Sequence, residues 1–245
     1  MMTYCLAMVL AVAAQDDKEA EKAATEALDQ FQKAYKGTDE ERKTAVDELA
    51  KVQHPKIASK LGSILAGSTP SPVRVNAARA LGGWTENKKA ATTALANSIP
   101  ANAKEPGVLS QVFEAIGKLQ DPSAVPLLVR YFEDKDLNLA QNAVFWTGRV
   151  GSGLGIDPPI GVLTRNEKAA KPAGAAIGVA ANGTNPNQAG GVVVSGSNSN
   201  AQRDRAMALV SAANTALQQI TKENLTTADA WSSWWSKNKA TFNKK

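Results

Sequence analysis

The chain has 245 residues, 43% hydrophobic, 21% charged and 5% aromatic, with a formal net charge of +5. That length suits one large domain or two small ones, and the composition is that of a globular chain rather than a disordered or collagen-like one. With one His and one Cys, His/Cys zinc sites and redox Cys pairs fall away as expectations.

Tyr4–Ala14 is an uncharged apolar run of 11 residues, followed at once by Gln15, Asp16 and Asp17. It is too short to span a bilayer, which needs about 20 apolar residues. It fits the apolar region of a secretory signal peptide over residues 1–14, with Ala-Val-Ala or Val-Ala-Ala as the cleavage box, although no Lys or Arg precedes it. The expected location is therefore periplasmic or secreted. Cys5 lies inside this leader, so the mature chain is expected to hold no disulfide. No later segment is long and apolar enough to cross a membrane.

Charge is uneven along the chain. Residues 15–50 carry 11 acids and 6 bases, whereas residues 51–118 carry 9 bases and 3 acids. Residues 15–37 predict a leading helix with Ala20, Ala23, Ala24, Ala27, Leu28, Phe31, Ala34 and Tyr35 on one stripe, suited to capping a stack of helices.

From residue 38 to 164 the chain repeats. Four helical segments end at Ala50, Gly82, Gly117 and Gly148, anchors spaced in the low thirties, and the glycines suggest left-handed helix stops. Second helices are expected at His54–Ala66, Glu86–Ile99 and Asp121–Phe132, with Pro55 and Pro122 at first helical positions. Gly67–Pro72 and Pro100–Ala103 read as turns. A lone pair cannot bury its own apolar face, so neighbouring pairs stack.

The run Leu119–Leu128 into Phe132–Asp136, with Pro72–Gly82, resembles the HEAT-repeat family in its short bacterial form. The resemblance implies an all-α solenoid of antiparallel helix pairs that serves as an interaction scaffold rather than an enzyme. A protein partner is the expectation, with an anionic polymer as a weaker one, and an exported chain would not meet nucleic acid. On this reading the second helices line the binding surface, and Lys56, Lys60, Lys88, Lys89 and Arg130 lie on them.

Ten of the 18 glycines fall in residues 151–196. Gly151–Gly155 lacks the Gly-Lys-Ser/Thr end of a phosphate loop and reads as a connector. Residues 165–200 read as a flexible Gly/Asn/Ser-rich insertion, with one short strand-like piece at Val192–Val194. C-terminal capping helices are expected over 201–245. Thr227 is the N-cap expected for the last of them, and Trp231, Trp234 and Trp235 are buried on the preceding helix rather than forming a sugar platform. This tail resembles one seen after HEAT repeats in secreted bacterial proteins.

His54 is expected to cap its helix. Asp16/Asp17, Glu40/Glu41 and Glu133/Asp134 are adjacent in sequence and so do not share a helix face for acid/base work. No catalytic, cofactor-binding or metal-ligating residue is assigned. The alternatives are a HEAT-like enzyme of lyase or nucleic-acid glycosylase type, or an envelope polysaccharide-binding protein.

Overall fold

A computed structural model describes residues 2–171 and 197–242, with side chains described for 17–171 and 200–242. Among the described residues there are eleven α-helices and no strand. The helices are α1 (Met2–Ala34), α2 (Asp39–Ala50), α3 (Pro55–Ala66), α4 (Ser71–Gly82), α5 (Lys88–Asn102) and α6 (Pro106–Leu119). They continue as α7 (Ala124–Val129), α8 (Leu137–Val150), α9 (Asp157–Ala170), α10 (Ser197–Thr221) and α11 (Ala228–Phe242).

These helices form two layers. One holds α2, α4, α6, α8 and α10, each packed on the next; the other holds α3, α5, α7, α9 and α11. Apolar residues at steps of three and four, such as Ile57, Leu61, Ile64 and Leu65 on α3, bury the faces between the layers in one continuous core. The all-α solenoid expected from the repeat pattern is the fold observed. The pair α10–α11 joins the stack as the earlier pairs do, with α10 against α8 and α11 against α9.

Local chemistry sets the helix starts. The Thr38 hydroxyl accepts from Glu41 N–H at 3.3 Å, and Glu41 returns the bond by accepting from Thr38 N–H at 2.7 Å. Those bonds hold the Glu41 carboxyl below its usual range, so the capping contribution is present near neutrality and is lost as pH falls through that depressed value. Asp136 caps α8 by accepting from Asn138 and Leu139 N–H. Thr227 caps α11 by accepting from Ala230 N–H, as expected.

Three helix boundaries differ from the sequence expectation. The helix expected over Asp121–Phe132 is only α7: Pro126 has no N–H to bond Pro122 O, so the helix starts at Ala124 rather than Pro122, and it ends at Val129. Flanking bonds such as Val125 N–H to Pro122 O and Phe132 N–H to Val129 O are of the tighter i→i+3 kind. Pro100–Ala103 is not a turn: α5 runs through Pro100 to Asn102, whose buried side chain fixes the helix end by donating to Leu65 O at 2.9 Å. The insertion also starts later than expected, since α9 continues to Ala170 and α10 begins at Ser197. The strand-like piece at Val192–Val194 lies outside the described residues.

The largest correction concerns the anchors. Gly82, Gly117 and Gly148 lie inside helices rather than at left-handed stops; that role falls to Gln120 after α6, with φ +50°, and to Gly151 after α8, with φ +73°, while α4 has no left-handed stop. Each anchor meets the next helix of its layer. A Cβ at Gly82 would sit 2.8 Å from the Ala115 Cα, and one at Gly117 would sit 2.3 Å from the Trp146 ring. One at Gly148 would sit 2.5 Å from the Ala216 Cα. Absent side chains therefore let α4, α6, α8 and α10 approach closely, in a relay that carries across residues 172–196. Trp146, which broke the repeat pattern in the fourth unit, fills the space that Gly117 leaves.

A second tie between pairs is polar. Arg74, 9% exposed, donates to Asn102 Oδ1 at 2.7 Å and to Ser71 Oγ at 3.1 Å, and pairs with Glu105 at 3.3 Å. One network thus holds α3, α4, α5 and the start of α6. Gln53, after α2, accepts from Thr85 and Glu86 N–H after α4, and buried Trp84 donates to Ala50 O at 3.0 Å.

Candidate interaction surfaces

Of the five basic residues expected on one binding face, two are occupied by α1. Lys56 pairs with Glu21, and the Lys60 ammonium lies 5.5 Å from the Phe31 ring centre. The Lys56 hydrogen bond is the main cause that lowers the Glu21 carboxyl below its usual range, so this hold on α1 is lost as pH falls through that lowered value. His54 caps α3 as expected: its Nδ1 accepts from Lys56 N–H at 3.2 Å, and its Nε2 lies 3.5 Å from Glu21. Lys88, Lys89 and Arg130 are exposed on α5 and just after α7.

On the second layer a groove of about 520 Å³ runs between α3 and α5, lined by Pro55, Ala58, Ser59, Lys89, Ala90 and Ala94 among others. The spans Pro55–Ala66 and Lys88–Asn102 hold four lysines and no acidic residue. A larger groove, about 700 Å³, lies between α1 and α2 at the start of the stack. Sequence reading missed it, because only the placement of α1 on α2 creates it.

At the other end Trp231 and Trp235 are buried, and each indole N–H is used. Trp231 donates to Asn214 Oδ1 at 2.8 Å, and Trp235 donates to Asp157 Oδ1 at 2.7 Å. Trp234 is half-buried and stacks near-parallel on Trp235, with ring centres 6.3 Å apart. The expected burial is therefore met fully by two rings and partly by the third, although α11 packs chiefly on α9 rather than on the preceding helix α10. Substituting Trp234 by Phe should remove much more acrylamide-quenchable fluorescence than substituting Trp231 or Trp235, whose loss should leave the quenchable amplitude unchanged. Strong quenching from Trp231 would contradict the packing of α11.

Asp134 and Asp136 face each other only through a turn, with Asp134 Oδ1 accepting from Asp136 N–H at 2.9 Å. Among the described residues, no three His, Cys, Asp or Glu side chains are close enough to hold a metal ion. Burial pushes up the Tyr131 phenol, with Arg130 lowering it and Asp134 adding to the rise. Among the described residues, no helix is long and apolar enough to cross a membrane.

A family model described as HEAT repeats matches residues 58–147, from within α3 to near the end of α8. No curated protein and no solved structure matches the chain.

Proposed function

The chain belongs to the HEAT-repeat family through residues 58–147, and from that premise we propose that it is a non-catalytic, exported scaffold that binds an acidic partner protein across its second helix layer. The observation that carries this reading is the α3–α5 face. Lys56 and Lys60 are taken up by α1, but Lys88 and Lys89 are exposed beside a groove with apolar walls, and no acid lies on α3 or α5. Complementary charge would steer and orient a partner, while the groove would supply the desolvated contact.

Export is supported by the apolar run Tyr4–Ala14 and by what removing it leaves. Cleavage after Ala14 puts Asp16 and Asp17 in the first turn of α1, where acidic groups favour the helix dipole. The polysaccharide alternative loses two of its three rings to the core. The enzyme alternative wants ionisable groups gathered in a closed pocket, whereas the grooves described here are open and mostly apolar.

The test is a pull-down from the native compartment with the mature protein, its N-terminus sequenced, against the triple variant Lys88→Gln, Lys89→Gln, Arg130→Gln. The expected result is an N-terminus at or beside Gln15 and a protein partner lost from the variant, with the helical melt unchanged. Retention of the same partner by the variant removes the second-layer reading.

A further inference from the structure

The start of the stack is only partly covered. α1 buries Ala24 and Phe31 against the first pairs, yet a groove of about 700 Å³ stays open between α1 and α2. Its floor is apolar, made by Ala27, Phe31 and Ala34 of α1 with Ala45, Leu49 and Val52 of α2 and the residues just after it. Its rim is acidic, with Glu40, Glu41 and Glu48 standing along α2. From Asp17 to Ala34 and from Asp39 to Ala50, ten acidic side chains stand against five basic ones.

We infer that this groove receives an amphipathic helix of a partner protein, about three turns long, with small or branched apolar residues on one face and lysine or arginine at its flanks. The length follows from the groove. Glu40 to the end of α2 at Ala50 spans roughly 15 Å at 1.5 Å per residue, close to three turns. The position is that of one more helix laid on α2, so the guest extends the stack by the same apolar stripe packing that joins the pairs.

The rim charges select the guest's sign. Glu40 is met by Lys43 at 2.6 Å and Glu48 by Lys51 at 2.6 Å, both exposed i,i+3 pairs. Such surface pairs are weak and yield easily to a better-placed cation. A second copy of this chain docking the same face would set these glutamates against their own counterparts, a like-charge contact that opposes self-association. This surface is separate from the α3–α5 face, so the two readings stand or fall independently.

The probe is a fluorescent helical peptide with alanine and leucine along one face and two lysines at each end, with a twin carrying glutamates in place of the lysines. The lysine peptide should bind the intact protein at least about tenfold more tightly than its twin. Glu40→Gln with Glu48→Gln should erase most of that preference. Ala27→Trp, which fills the groove from a half-buried position, should abolish binding while the circular-dichroism melt stays in place. Equal binding of the two peptides, binding that survives Ala27→Trp, or no binding of either overturns the proposal. So does sedimentation of the protein alone as a dimer that Ala27→Trp dissociates, since a second copy would then be the occupant.

Discussion

Gly117→Ala is expected to destabilise the protein by about 1–3 kcal/mol, and Trp146→Leu in the same chain to restore much of that loss. Alanine is the better helix former by about 1 kcal/mol, so packing must more than cancel that advantage. It does so because the added methyl falls 2.3 Å from one ring carbon of Trp146 and 2.5 Å from another. The neighbour here is a side chain, and shortening it reopens the space. Gly148→Ala should behave differently. Its methyl would meet the Ala216 Cα at 2.5 Å, an atom that no substitution removes, so Ala216→Gly should rescue little. Urea unfolding of the four single and two double variants measures both couplings. Equal rescue at the two positions would contradict the relay.

Asn102→Ala should cost more than its size suggests, about 2–4 kcal/mol. The side chain is fully buried and does three things at once. It accepts from Arg74 at 2.7 Å, donates to Leu65 O at 2.9 Å and donates to Ser98 O at 2.8 Å. Truncation takes the buried acceptor from a guanidinium whose Nε already has no partner and leaves it only Ser71 and Glu105. The double variant Arg74→Met, Asn102→Ala removes the charge together with its acceptor, so its loss should be smaller than the sum of the losses of Arg74→Met and Asn102→Ala alone. Thermal melts of the three variants decide this, and strict additivity would show that the residues do not act as a unit.

Most of the helices were legible in the sequence because each carries its own apolar stripe and a start signal within a turn of it. His54 and Thr227 are such signals and cap as expected, whereas Pro122 does not open its helix, which starts at Ala124. What was not legible depends on residues far along the chain. A glycine near a helix end looks the same whether it stops the helix or admits a neighbour; Gly117 was settled by Trp146, and Gly148 by Ala216 beyond the insertion. The reach of α1 over Lys56 and Lys60 is long-range in the same way, which is why a five-residue basic face became three. Pro126 was visible, but its effect on α7 was outweighed in the reading by the favourable Asp121-Pro122 start. The groove between α1 and α2 had only its acidic composition as a signal.

The brevity of α7 has a mechanical consequence. In the first layer, α6, α8 and α10 join without interruption through buried glycine contacts, forming a stiff spine. On the other side α7 is a single helical turn and a half that leans on α5 and α8 and barely meets α9. A rod that is continuous along one edge and notched along the other bends toward or away from its notch. Compliance is thereby concentrated between the third and fourth pairs, and strain applied at either terminus is taken up beside Arg130 rather than spread evenly along the molecule.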